Sequence, residues 1–327
     1  MRQTQNADAY DAYLRGRYLQ NRRTADTNLQ AVREYERATA LDPTYALAWS
    51  ALALTYSAGV INGDARPFEV WPRARDAAVR AVGANPQLAE AQLAVGHISF
   101  VLDWDWGAAE AALRQAVARD PVNAAAHLTL GHVLSQLGRH DEGEIQMRRA
   151  RDLAPLDPLN HALSAQVAFQ ARDNAAAVEH ARRATRLDST FWIGYMALAQ
   201  AFEQTGDHEL AIEAVAEAAR LSGNNSKAMS LHGYLLATRG RRHEAREVLA
   251  CLGAAGSQRY VPAYATALVH AGLGEPDAMF ASLDRAYGER DVHLIFLPVD
   301  PKWDEFRSTR RFKELLERCG FAAMRVE

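Results

Sequence analysis

A period of about 34 residues constrains this chain more than any other feature. The glycines of its Gly-Arg, Gly-Asp and Gly-Glu turn signals stand at 138, 206, 240 and 274, the first interval two periods long and the others one. The missing member of the series is Arg172, followed by Asp173 and Asn174, which also form turns readily. Seven residues before each turn stand Gly131, Ala165, Ala199, Gly233 and Ala267. Five after it stand Gly143, Ala177, Ala211, Ala245 and Met279, and twelve after it Ala150, Ala184, Ala218, Leu252 and Ala286. Columns in register at this period mark an array of small units, none of which can bury its apolar face without a neighbour.

Each unit reads as two amphipathic helices. In residues 124–157, AAAHLTLGHVLSQLG predicts a helix closed by Gly138, which can adopt a left-handed conformation. DEGEIQMRRARDLAP predicts a second, with Asp141 expected as its cap and Pro155 as its stop. Small residues at fixed columns let two helix backbones approach where a larger side chain would collide. The chain's 64 alanines among 327 residues favour helix throughout, because Ala loses no side-chain entropy there.

These residues resemble the tetratricopeptide repeat, whose pattern runs W-x2-L-G-x2-Y, then A-x3-F, then P within one such period. Trp49, Leu52, Ala53 and Tyr56 match its first half, with Ala for Gly. Leu130, Gly131, Leu134, Gly143, Met147, Ala150 and Pro155 form a full repeat with apolar substitutions. Pro86, Pro121 and Pro155 follow one another at close to the period, whereas the interval from Pro43 to Pro86 is nine longer. The second unit therefore carries nine extra residues, expected in the turn around Val60–Phe68. The first unit, from Leu14 and Gly16 to Pro43, has three extra, expected near Asn21–Ala25. The resemblance implies an all-α, right-handed α-α superhelix of eight helix pairs over residues 8–287. The domain reading is a solenoid over 1–287 and a capping segment over 288–327 packed on the last repeat. In that segment Phe312, Leu315, Leu316 and Cys319 fall on one helical face, and Trp303, Phe306 and Phe321 are its expected anchors.

At a narrower level, AYLRGRYLQNRRT, DPTYALAWSALALTYS, LDWDWGAAEAALRQAV and the stretch from DVHLIFLPVDPKW onward resemble the repeat-bearing tails of certain bacterial regulators. In those proteins the repeats follow a winged-helix DNA-binding domain, a serine/threonine kinase or a nucleotide cyclase. The resemblance therefore implies a regulatory tail with an output domain fused upstream. It departs from the pattern at Thr309-Arg310, where an Asp-Pro helix start is expected, although Thr309 can still cap a helix.

Other function classes find little support. Thirty-seven Lys and Arg balance 40 Asp and Glu, which argues against direct nucleic-acid binding by a polybasic surface. Cys251 and Cys319 match no metal spacing and build no disulfide framework. The first 25 residues are polar and charged, unlike a signal peptide, and the expected location is cytoplasmic unless a longer parent protein carries a membrane helix. Residues 43–63 are uncharged and long enough to span a bilayer, but Pro43, Asn62 and the excess of alanine favour a buried helix over membrane insertion. Phosphate-cradling glycine motifs and the nucleophile elbow are missing, and His243-Glu244 lacks the second His of a zinc helix. Asp103-Trp104-Asp105-Trp106 reads as Asp105 capping a helix with a Trp filling the gap beside it. The expectation is a non-enzyme with no catalytic residue, metal or cofactor.

In the repeat family the first helices of successive units line a concave groove. By that resemblance the residues after the small column, His97, His132, Gln166, Gln200 and Tyr234, form a ladder of uncharged hydrogen-bonding groups facing a protein or peptide partner. Phe100, Leu128 and Phe169, with Leu93 and Met196, are candidates to take its apolar side chains; the alternative is that such residues fill gaps between repeats. The Lys-rich clamp by which some members grip a C-terminal carboxylate cannot be built, since the only lysines are Lys227, Lys302 and Lys313. A small-ligand sensor tail and a self-associating scaffold, a homo-oligomer, stand as alternatives.

Overall fold

The computed structural model describes residues 4–22, 24–62 and 65–321. Arg23, Gly63 and Asp64, inside the two expected long turns, lie outside the described residues. Among those described, every regular element is helical. The chain divides into two compact units, 1–133 and 134–327.

Unit 1 holds helices α1 (Ala7–Gln20), α2 (Ala25–Leu41), α3 (Ala46–Ile61), α4 (Pro67–Ala84), α5 (Ala89–Ile98) and α6 (Trp106–Arg119), and α7 (Ala124–Gln136) crosses the division. Unit 2 continues with α8 (His140–Leu153), α9 (Pro158–Gln170), α10 (Asn174–Leu187), α11 (Trp192–Thr205) and α12 (His208–Leu221). Then come α13 (Ser226–Thr238), α14 (Arg242–Gly256), α15 (Ala263–Gly272) and α16 (Pro276–Gly288), followed by the short α17 (Asp304–Arg307) and α18 (Arg310–Arg318). Helices α1 to α16 are the eight expected pairs. The pattern of contacts is that of hairpins stacked on hairpins: α9 packs on α10, α11 on α12, and α11 in turn on both α9 and α10.

The repeat columns explain that stacking. Ala165, Ala199 and Ala267 are buried, as are Ala177, Ala211, Ala245, Ala150, Ala184, Ala218 and Ala286. Alanine and glycine at the crossings leave room for helix axes to approach to the ~8–10 Å of close packing. Unit 1 uses the same device at Gly16, where an added Cβ would lie 2.7 Å from Tyr35. The Tyr35 ring is fully buried there beside Tyr13, and its hydroxyl donates to Gln20 at 2.9 Å.

Turn chemistry follows the period. Gly138, Gly206, Gly240 and Gly274 all take positive φ, between 67° and 82°. Arg172, standing in the same register, takes φ 64° despite its side chain. Asp173 then caps α10 by accepting from the amide of Ala176. Asp141 does not cap α8: Arg139 holds the cap position and the helix starts at His140, so Asp141 falls in the first turn, where its charge meets the positive helix end. The surplus of the second unit is only partly in its turn. Helices α3 and α4 have 16 and 18 residues against 13 and 14 in α9 and α10, so most of the extra chain lengthens the helices. Among the described residues, no helix is long and apolar enough to cross a membrane.

Candidate binding site

The ladder residues sit on first helices, and the two units use them differently. In unit 1, His97 and His132 are half-buried on α5 and α7. His97 Nδ1 lies 3.0 Å from the hydroxyl of Ser57 on α3. The ring of His132 meets that of Phe100 edge-on at 5.5 Å, and Phe100 is in edge contact with Trp106 at 5.9 Å. Phe100 is buried in the π-helical turn Ser99–Asp103 that ends α5, and Leu128 is buried in α7. Asp105 caps α6, Trp104 is buried beside it, and Asp103 accepts from Trp71 Nε1 at 2.6 Å while pairing with Arg75.

In unit 2 the same face is met by the chain's own C-terminal segment. After α16, Asp291 starts a 3-10 turn over Val292–Phe296, and Asp300 starts another over Pro301–Trp303. Every residue from 291 to 300 is buried. One end is fixed on α15, where Asp291 accepts from the amide of Tyr264 at 2.9 Å and His293 stacks on the Tyr264 ring. Trp303 Nε1 donates to the Tyr264 hydroxyl at 3.0 Å. The other end is held by the turn after α9. Arg172 donates twice to Asp304, at 2.8 Å each, and to the carbonyl of Val299 at 3.3 Å. Arg307 adds donors to the carbonyls of Leu297, Pro298 and Asp300. This bracing satisfies backbone groups that no regular helix or strand would pair.

Beyond this stretch α17 and α18 turn to α16. Thr309 caps α18 by accepting from the amide of Phe312, and Arg311 and Arg318 both reach Asp284. Against the opposing effect of burial, the two guanidinium groups hold the Asp284 carboxyl below its usual range. Trp303, Phe312, Cys319 and Phe321 are buried; Phe306 packs its edge on Phe280 of α16.

Between the C-terminal segment and helices α9, α11, α13 and α15 lies a cavity of about 50 Å³. Gln166 and Gln200 line it, with Trp192, Met196 and Leu231 supplying apolar wall and Phe296 closing it from the segment side. Lys227 of α13 and Lys302 of the segment both line it as well. Lys302 pairs with Asp300 at 2.7 Å and stands 4.9 Å over the ring of Phe169, which is itself buried. Tyr234 is half-buried next to this region, and burial, then the nearby Asp300 carboxylate, pushes its hydroxyl above the ordinary range. The structure thus brings Gln166 and Gln200 to one cavity, places Tyr234 beside Asp300, and puts Phe100, Leu128 and Phe169 in the packed interior. Among the described residues no cluster of three or more His, Cys, Asp or Glu side chains could hold a metal ion.

Sequence reasoning missed Lys227, Lys302 and the burial of residues 292–299. Two signals were present. VHLIFLPV is an apolar run without helical period, bracketed by Asp291 and Asp300-Pro301, and such a run must be covered. Lysine is the rarer signal: all but three of the 37 basic residues are Arg, yet two of the three Lys stand at this one cavity.

No curated protein sequence matches the chain. Among solved structures, the Cut9–Hcn1 hetero-tetramer of APC/C aligns with 17% identity and a TM-score of 0.51, over 70% of this chain and 46% of its own. PilW, a type IV pilus biogenesis factor, aligns at 17% identity and 0.49 over 69% of this chain and 99% of its own. PilF of Pseudomonas aeruginosa aligns at 20% and 0.46 over 62% and 86%. Two family models, each described as tetratricopeptide repeat, match residues 104–167 and 171–287, together more than half of the chain. With its helix pairs recurring and mostly small side chains buried at the shared columns, the chain belongs to the tetratricopeptide repeat family.

Proposed function

We propose that this chain is a non-catalytic protein-interaction module whose inner face takes a peptide or a partner domain. The tetratricopeptide fold supports a protein-binding or scaffold role. The observation that carries the finer reading is what unit 2 does with its own chain. Residues 291–304 lie against Gln166, Gln200 and Tyr264 and reach Arg172, so this face already accommodates a stretch of irregular polypeptide. In unit 1 the partner would meet His97 and His132, half-buried groups with ring nitrogens suited to backbone donors and acceptors. In unit 2 it would meet Gln166, Gln200 and Tyr234 only at the edges that the segment leaves open. Residues 288–327 act as the cap of the last hairpin, and the whole array regulates an output domain joined upstream.

The test is affinity capture with the unmodified chain and with His97→Ala/His132→Ala, both checked for helical content. A protein recovered by the first and lost by the second supports the reading. Equal recovery of every captured protein by both removes the ladder as the main site. The regulatory role is checked in the coding sequence upstream of Met1, where an in-frame DNA-binding, kinase or cyclase domain supports it and an independent start counts against it.

A further inference from the structure

We infer that the unit 2 cavity is a binding site for a small monoanion, a carboxylate carried on a short apolar body, with Lys227 as its counter-ion. The charge arrangement is the first ground. Lys302 is already neutralised by Asp300 at 2.7 Å. Lys227 has no such partner among the described residues: its ammonium stands 5.4 Å over the Phe296 ring, and the charge it feels most is the repulsive one of Lys302. The cavity therefore carries one positive charge that the protein itself leaves uncompensated.

Lys227 also stands where a cation is least favoured. Asn225 caps α13 by accepting from the amide of Lys227, which puts this lysine in the first turn, at the positive end of the helix dipole. An anion at its ammonium would reverse both penalties together. Buried ammonium groups without a partner are destabilising, and a chain so rich in arginine has no general need of lysine here.

The walls define the rest of the ligand. Gln166 and Gln200 line the cavity, and neither side-chain amide makes a hydrogen bond among the described residues, so both can serve the second carboxylate oxygen. Trp192, Met196 and Leu231 offer apolar contact to the body. The cavity's 50 Å³ is several times the ~10–15 Å³ one water requires but about a third of the ~150 Å³ that admits benzene, so the apolar body is one or two carbons and a peptide strand is excluded. An inorganic dianion would bring a second charge for which no further unpaired cation is at hand.

The site is tested by calorimetric titration with formate, acetate and propionate, and with propionamide and inorganic phosphate as comparators. Expected is saturable 1:1 binding of at least one of the three carboxylates, tighter for acetate or propionate than for formate. That binding should weaken at least tenfold in Lys227→Met and stay unchanged in Lys313→Met, which alters the exposed lysine of α18. Propionamide should bind at least tenfold more weakly than propionate. Lys227→Met should retain its helical content and unfold no earlier than the unmodified chain, so loss of binding reads as loss of the counter-ion. The inference is overturned if none of the carboxylates binds with a dissociation constant below roughly 10 mM. Equal binding by Lys227→Met, or by propionamide, overturns the role of the charge. Phosphate binding as tightly as propionate overturns the apolar body.

Discussion

Replacing Gly233 by alanine tests why the small column exists. Gly233 lies on α13, and a Cβ there would stand 2.8 and 3.1 Å from the two Cγ atoms of Val269 and 3.0 Å from Val248 Cγ1. Val269 is fully buried, and β-branched side chains have little rotamer freedom with which to yield. Overpacking of this kind costs about 1–3 kcal/mol. Alanine also gains about 1 kcal/mol over glycine in helix propensity, which masks part of the loss. Gly253 on α14 is the internal control: it is exposed, and nothing lies within 4 Å of its Cβ position, so Gly253→Ala takes the gain alone. The difference between the two variants isolates the steric term of about 1–3 kcal/mol. At about 2–4 °C per kcal/mol for a cooperative unit of 150–250 residues, Gly253→Ala should melt roughly 2–12 °C above Gly233→Ala. Thermal unfolding followed by far-ultraviolet circular dichroism measures both. Equal midpoints, or the reverse order, would refute the claim that the column is small because the backbones must meet there.

Three further outcomes follow from side chains outside the small column. Burial pulls the Lys227 ammonium down to about 8 from an ordinary 10.5, so below pH 8 the folded state holds a penalised charge that the unfolded state does not. Between about pH 8 and 10.5 the unfolded chain binds more protons, and stability rises with pH. Lys227→Met should therefore stabilise unit 2 near pH 7 by up to about 3 kcal/mol, a gain that vanishes toward pH 11, as denaturant titrations at both pH values would show. Cys251 is exposed and Cys319 is buried with its thiol pushed up to about 12, so a disulfide reagent should titrate one thiol in the native chain and two after unfolding. Native reaction of both would mean that α18 is not seated. At position 172 the left-handed backbone and the clasp on Asp304 oppose each other. Arg172→Ala keeps the strain and loses the clasp, whereas Arg172→Gly relieves the strain; the glycine variant should be more stable by about 1 kcal/mol in urea titration.

The fold was legible because its signal is repetition, and repetition averages out local accidents. Gly138, Arg172, Gly206, Gly240 and Gly274 share one spacing and one backbone conformation, so position in the period marked a turn even where arginine stands. Asp105 and Thr309 were legible as caps, since an Asp or Thr two or three residues before an exposed amide has a local task. Asp141 misled for the converse reason: Arg139 already holds the cap position, and a two-residue shift turns a cap into a first-turn charge. The inner face was harder to read. Phe100, Leu128 and Phe169 are apolar residues on first helices, and periodicity alone does not say whether such a side chain lines a groove or fills the space between hairpins. The return of residues 291–304 was illegible for a different reason. Its contacts join Arg172 to Asp304 and Tyr264 to Trp303, pairs distant in sequence that no period connects.

Hydrogen exchange at the amides of Tyr264, His293, Leu294 and Trp303 puts the most direct question to this account. Each of these amides has an acceptor supplied by the returning segment: the Asp291 carboxylate for Tyr264 and His293, the carbonyl of Asp291 for Leu294, and that of Asp300 for Trp303. If the chain's own tail is an integral lining of the unit 2 inner face, these amides should exchange as slowly as those in the middle of α11 and α13. Exchange at the rate of an exposed loop would contradict it, and would return that whole face to an outside partner.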